Sequence, residues 1–223
     1  MSGIRRVPEP ELMDSAEQVA AYVAADFSVP HQAVVTRFDE HFPALVGTTV
    51  LDLGCGSGDV TARFALAHPE CRVVGVDAGP TMLAAAREHF AALGIADRIE
   101  ILERHLPDPS IAGAGPFGAV ISNSLLHHLD DPMTMWRSVS LGRPGAAVLV
   151  QDLRRPTDEA TLASLVAEHT VGAAPVLVED FSHSLRASYT VEEIETQLAA
   201  AGLPLTVDAV GDRHVVVWGF LPD

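Results

Sequence analysis

Five short apolar runs recur along the chain: "TTVLDL" (48–53), "CRVVGV" (71–76), "RIEIL" (98–102), "FGAVISN" (117–123) and "AAVLVQDL" (146–153). Most are followed by a stretch with helical spacing, and this alternation limits the possible folds more than any other feature. A strand that is apolar throughout needs cover on both faces, and strands joined through helices run parallel. The pattern therefore predicts an α/β protein with a parallel sheet between helical layers. Helices are expected at 57–68, at 79–94 with Pro80 in the first turn and Gly94 at the end, and at 131–142. Ahead of the core, 11–27 and 31–42 read as helices, the second stopping before Pro43. After Leu153 the alternation breaks, and 154–187 reads as an inserted piece of one or two helices with loop. Thr190 and Glu193 then make a capping-box pair for a helix over 191–202. The end, "LPLTVDAVGDRHVVVWGFL", reads as two strands around a Gly211-Asp212 turn. With 223 residues and no internal repeat, one domain is expected.

Composition narrows the chemistry. Thirty acids face 14 basic residues, all of them arginine, for a net charge of -16. Without lysine there is no Schiff-base chemistry, and the acidic balance argues against nucleic-acid partners and anionic membrane surfaces. Cys55 and Cys71 form no disulfide or metal pattern. The ten histidines include no H-x-x-x-H pair, so no metal is expected. The start lacks the apolar core of a signal peptide, and no apolar stretch approaches the roughly 20 residues that cross a bilayer. A soluble cytoplasmic protein without a membrane partner is the expectation; nothing in the sequence fixes an oligomeric state.

The first strand ends in Gly54-Cys55-Gly56-Ser57-Gly58. Bare backbone there implies a ligand that approaches closely, as nucleotides do. The dinucleotide pattern G-x-G-x-x-G puts its third glycine where this chain has Asp59, and a carboxylate beside a pyrophosphate is repulsive. That weakens a nicotinamide-dependent oxidoreductase, the first alternative. Asp77 closes the second strand, where an acid accepts from both hydroxyls of a ribose. A nucleoside without a pyrophosphate fits, and S-adenosylmethionine is one.

"VLDLGCGSG" followed by "VVGVDAGPTML" resembles motifs I and II of the class I S-adenosylmethionine-dependent methyltransferases, "FGAVISNSLLHHLDDP" their motif IV, and "RPGAAVLVQDL" the strand element after it. The likeness covers about residues 48–153. It implies a three-layer Rossmann-like sheet, mostly parallel with an antiparallel C-terminal strand. It also implies an N-terminal helical lid (1–45), a cofactor-binding core (46–153), an inserted lid (154–189) and a C-terminal helix with strands (190–223). By resemblance Asp52, Gly54, Cys55 and Gly56 line the methionine end of the cofactor, Asp77 holds the ribose, and Ala78 and Met82 lie on the adenine side. Many relatives carry Gly-Asp after the third strand, whereas this chain has "ILERHLPD", so the Arg104–His105 backbone or the His105 ring is expected at the adenine.

Methyl transfer to a small-molecule acceptor is mainly a matter of positioning, and ligands of open α/β sheets gather at the carboxyl ends of strands. Ser122, Asn123 and Ser124 lie there, with Asn123 assigned to the cofactor and Ser124 to the acceptor, and so do Asp152 and Arg154. His127 and His128 are candidates for a general base or for a loop-positioning role. Arg37 is a candidate partner of the cofactor carboxylate or a solvated helix residue. Phe181, His183, Arg186 and Tyr189, from the expected lid, are acceptor candidates or ordinary helix packing. A non-catalytic cofactor-binding protein is the second alternative.

Overall fold

Alternation along β1 (Thr49–Leu53) sets the logic of the molecule. Successive side chains of a strand point to opposite faces, so Leu51 and Leu53 enter one apolar layer and Val50 the other. The same rule splits β5 (Gly142–Leu153): Ala146, Val148 and Val150 face one way, Ala147 and Leu149 the other. The computed structural model describes residues 3–9, 13–45 and 47–223. Seven strands form one sheet in the order β3-β2-β1-β4-β5-β7-β6, completed by β2 (Arg72–Asp77), β3 (Ile99–Glu103), β4 (Phe117–Asn123), β6 (Thr206–Val210) and β7 (His214–Phe220). β1 to β5 pair in parallel, while β7 runs antiparallel to both its neighbours.

One face is covered by α2 (Ser28–His41), α3 (Asp59–Ala67) and α4 (Pro80–Ala92), whose Phe38, Phe64 and Phe90 pack on Val50, Val73 and Ile121. The other is covered by α5 (Met133–Val139) and α8 (Val191–Ala201), through Trp136, Ile194 and Leu198. The capping box is present on α8: the Glu193 amide donates to the Thr190 hydroxyl at 3.3 Å, and the Thr190 amide donates to the Glu193 carboxylate at 2.9 Å. The chain runs outward from β1 to β3 and then returns to β4 on the other side of β1. That reversal opens a crevice beyond the carboxyl ends of β1 and β4. Three helices stand around it: α1 (Ala16–Ala24), α6 (Glu159–His169) and α7 (Pro175–Ala187).

The structure departs from the sequence reading in two places. The helix expected from residue 11 begins at Ala16, because the Ser15 hydroxyl accepts from the Gln18 amide and caps it; Glu11 and Leu12 lie outside the described residues. Ahead of it, residues 3–9 carry no helix or strand and cross the molecule as a strap. β5 begins at Gly142, four residues before the expected start, because Gly142 pairs with Phe117 and a register shift lets the Arg-Pro-Gly stretch continue the strand.

Gly58 shows how tightly the first turn is built. It has φ +83°, and a Cβ there would lie 2.4 Å from Cζ of the buried Phe90 ring. Gly58→Ala is expected to cost about 2–4 kcal/mol, the sum of left-handed strain and overpacking, read from denaturant midpoints. Gly94 has φ +68° and open space around a built Cβ, so Gly94→Ala should show the strain alone, about 1–2 kcal/mol. Equal losses in the two variants would refute the packing account.

Candidate functional site

The β1–α3 loop folds back beneath the crevice, with the Gly54 and Cys55 amides donating to the Val76 carbonyl at 2.8 and 3.0 Å. Its three glycines all have positive φ but differ in what they face. A Cβ on Gly54 would meet Leu125 at 2.9 Å and one on Gly58 would meet Phe90, whereas one on Gly56 would meet nothing within 4 Å. Gly54 and Gly58 are bare so that the protein can pack. Gly56 lines the crevice, and a Cβ there would enter open space.

Asp77 ties this loop to the next one. Its carboxylate accepts from the Gly56 amide at 2.9 Å and the Gly79 amide at 2.8 Å. Burial pushes its pKa up, against the pull of those amide donors. Asp14, from the segment before α1, accepts from the Thr81 and Met82 amides at 2.9 and 3.1 Å and so caps α4 from a distance in sequence. Asp52 shares the Val50 face of β1, where the Thr61 hydroxyl of α3 donates to it at 2.5 Å. Burial pushes the Asp52 pKa to about 7, and the nearby Asp77 charge adds to the rise. Burial likewise pushes the Cys55 thiol well up, which removes it as a nucleophile.

Asp59 begins α3. It accepts from the His31 ring at 2.7 Å and from Arg63 Nε at 2.9 Å, and the His31 hydrogen bond above all holds its pKa down to about 2. His31 in turn stacks on Phe27 and lies 3.4 Å from the Tyr22 hydroxyl. Burial pushes the Tyr22 phenol to about 12. These side chains form the outer wall of a cavity of about 710 Å³. The Gly54–Ser57 turn, Asp77 and Asn123 to Leu125 form its floor, and Leu177, Asp180, Phe181 and Ser184 of α7 close the far side. Gln18 of α1 donates to Asp180 at 3.3 Å across the mouth.

Residues 50–140 match a family model described as a methyltransferase domain. The chain is 31% identical over 157 residues to the ubiquinone biosynthesis O-methyltransferase of Stutzerimonas stutzeri, a match covering 69% of this chain and 65% of that relative. Residues 50–140 thus carry a methyltransferase domain, and the chain is similar to the class I S-adenosylmethionine-dependent methyltransferases. It spans less than two thirds of that relative's length. Its fold is similar to that of a SAM-dependent methyltransferase from Aquifex aeolicus, with TM-score 0.64, 19% identity, and 91% and 97% of the two chains covered. It is also similar to the [4+2]-cyclase SpnF, with TM-score 0.70, 14% identity, and 100% and 99% covered. Those two likenesses are of fold.

Most residues picked out from the methyltransferase motifs line the cavity: Asp52, Gly54, Cys55, Gly56, Asp77, Ala78, Met82, Arg104, His105, Asn123, Ser124, His127 and His128. Six others do not. Arg37 donates instead to Gln151, which in turn donates to Asn123 at 3.1 Å, so it stands one residue behind the wall. Asp152 is buried against the His127 ring and also accepts from the Leu126 amide at 2.7 Å. Arg154 reaches the Gly211 and Asp212 carbonyls. Leu177, Asp180, Phe181 and Ser184 share one face of α7 at helical spacing, which turns His183 to solvent and Arg186 onto Glu159 at 2.5 and 2.7 Å. Tyr189 is buried beneath the Arg6 guanidinium, 4.2 Å above its ring.

His127 tethers its loop. Nδ1 contacts Asp152 and Nε2 lies 3.3 Å from Glu9 of the strap. Burial disfavours its charged form, but the two carboxylates outweigh burial and its pKa rises. With Asp152 on Nδ1 and Glu9 beside Nε2, it is not placed as a general base for an acceptor. Arg6 locks the same region by donating to the carbonyls of Ala187 at 2.6 Å, His127 at 3.2 Å and Leu129 at 3.1 Å. Arg6, Glu9, Asp14, Tyr22, His31 and Gln151 were not singled out as site residues from the motifs. Their partners lie far along the chain, so no local spacing marks them.

Proposed function

We propose that the chain moves a methyl group from S-adenosylmethionine to a small-molecule acceptor by in-line displacement. The observation that carries this reading is the pairing of Asp77 with the open side of Gly56: a carboxylate suited to a ribose diol, beside backbone that leaves room for the atoms attached to it. When bound, the sulfonium supplies an activated methyl and a good leaving group. The protein has to hold, orient and dry the reactants. Asp77 takes the ribose and Ala78 and Met82 the adenine side, while Asp52 and the bare Gly54–Gly56 backbone lie toward the amino-acid end. Asn123, Ser124 and His128 converge on the same cavity, which favours catalysis over a purely binding role. Asp59 stays ionised at the start of α3 and speaks against a pyrophosphate cofactor. The net charge of -16 supports a small acceptor over a nucleic acid. Among the described residues no helix is long and apolar enough to cross a membrane. The name of the Stutzerimonas relative favours an oxygen as the accepting atom.

Titration calorimetry with S-adenosylmethionine, S-adenosylhomocysteine and a nicotinamide dinucleotide tests the proposal. The first two are expected to bind one per chain and the third not at all; the reverse result would overturn it. The same titrations carry a pH signature. Asp52 is half-protonated near pH 7 in the free protein, and a cationic amino-acid end favours its carboxylate, so binding expels a proton. Affinity should fall as pH drops below 7, by up to about tenfold per unit. A flat profile would remove Asp52 from the cationic end.

A further inference from the structure

Glu9, His127 and His128 bring three potential ligand atoms together where the strap crosses the loop after β4. Glu9 Oε1 lies 3.3 Å from His127 Nε2 and 3.4 Å from His128 Nδ1, and all three atoms are within 4.8 Å of one another. The Glu9 side chain is only 9% exposed. Its Oε2 accepts from the Ser184 hydroxyl at 3.3 Å, but the buried Oε1 accepts no hydrogen bond. A buried carboxylate oxygen that accepts no hydrogen bond is expensive, and two imidazole nitrogens stand beside it. Their spacing has another meaning. Bonds of about 2.0–2.1 Å from a metal ion to nitrogen and oxygen place neighbouring ligand atoms about 3.0–3.4 Å apart, from octahedral to tetrahedral geometry.

We propose that Glu9, His127 and His128 bind a divalent transition-metal ion at the wall of the cavity. Asp152 completes the arrangement from behind. It holds His127 Nδ1, which fixes the ring so that Nε2 faces Glu9, as carboxylates do for metal-binding histidines. Two imidazoles and one carboxylate suit Fe²⁺, Mn²⁺, Co²⁺ or Zn²⁺ better than Mg²⁺ or Ca²⁺. The local charge permits it: the Arg6 guanidinium, the cation described near Glu9 and Asp152, is turned onto three carbonyls. A second grouping, Glu168, His169 and Asp212, lacks this balance, because Arg213 Nη1 sits 2.9 Å from His169 Nε2 and repels a cation. His127 and His128 both line the cavity, so an oxygen of the acceptor can complete the coordination. That use rests on the methyl-transfer reading; the site does not.

The test uses untagged full-length protein stripped with a chelator and titrated with Co²⁺. One ion per chain is expected, at micromolar dissociation constant or tighter, with visible ligand-field absorption that Zn²⁺ displaces. Glu9→Gln and His128→Gln should each weaken binding at least about tenfold, whereas Glu168→Gln should leave it unchanged. If Glu9→Gln lowers the metal-free melting temperature, His128→Gln decides. No stoichiometric binding, or binding indifferent to both substitutions, overturns the proposal and leaves a proton on His127 as the occupant of the gap. S-adenosylmethionine binding by the stripped protein, followed in parallel, reports on the methyl-transfer reading alone.

Discussion

An Asp152→Ala variant is expected to lose about 3–5 kcal/mol of folding stability, the usual consequence of breaking a buried ion pair from one side. Asp152 is 2% exposed and accepts from the Leu126 amide at 2.7 Å, the Leu153 amide at 2.6 Å and the His127 ring. Burial works against its charge, but His127 outweighs burial and holds the Asp152 pKa below the usual carboxylate range. Removing the carboxylate leaves an imidazole and three amides, those of Leu126, His127 and Leu153, without their acceptor. It also frees the loop that carries Leu126 to His128, and with it part of the cavity wall. For a chain of this length the melting temperature should drop by roughly 6–20 °C. Asp152→Asn keeps an acceptor and should lose less. Arg186→Ala is the control: its pair with Glu159 is made in solvent and is worth at most about 1 kcal/mol. A melting temperature for Asp152→Ala as close to the parent's as that of Arg186→Ala would show that the loop is held by something else.

The core was legible in the sequence because strand period and burial leave a strong local mark. The apolar runs became β1 to β5, and the glycine loop and Asp77 stand where the motifs put them. Side-chain direction was legible in principle too. Gln151 and Asp152 are neighbours on β5, so one faces α2 and meets Arg37 while the other faces the opposite layer and meets His127. Treating Asp152 as an acceptor ligand overlooked that alternation. On α7 the period of the helix decides similarly: Phe181 shares the cavity face with Leu177 and Ser184, and His183 and Arg186 fall off it.

What the sequence hid is long-range. Arg6 meets Ala187 across 181 positions, and Asp14 caps α4 across 67. Neither residue type nor spacing announces such a partner, and the "RRVPEPELMD" start reads as an unremarkable polar lead-in to a helix. The Glu9–His127–His128 grouping lies beyond the reach of the sequence for the same reason. A search for ligand pairs a few residues apart finds His127 and His128 without a third ligand, because the third arrives from the strap. Short-range pattern specifies the sheet, and the strap then couples α7 to the loop after β4 through contacts that only the folded chain contains.

Asp77→Ala is expected to weaken S-adenosylmethionine binding by about 1.5–3 kcal/mol, roughly 10- to 150-fold, as the loss of charge-assisted hydrogen bonds implies. Two effects add. The carboxylate that would accept from the ribose is gone, and so is the acceptor that holds the Gly56 and Gly79 amides in place around it. Stability should change less than affinity, because deleting a carboxylate whose pKa is already raised by burial also relieves a desolvation penalty. Gly56→Ala separates the two effects. Its methyl enters open space in the folded protein, so it should leave Asp77 in place and still reduce affinity by crowding the ligand, with only about 1–2 kcal/mol of left-handed strain in the fold. Loss of affinity in both variants, with melting temperatures near the parent's, places the nucleoside between this turn and this acid. Parent-like calorimetric affinity in Asp77→Ala would move the ribose elsewhere, and parent-like affinity in Gly56→Ala would mean that the turn is bare for the sake of the fold alone.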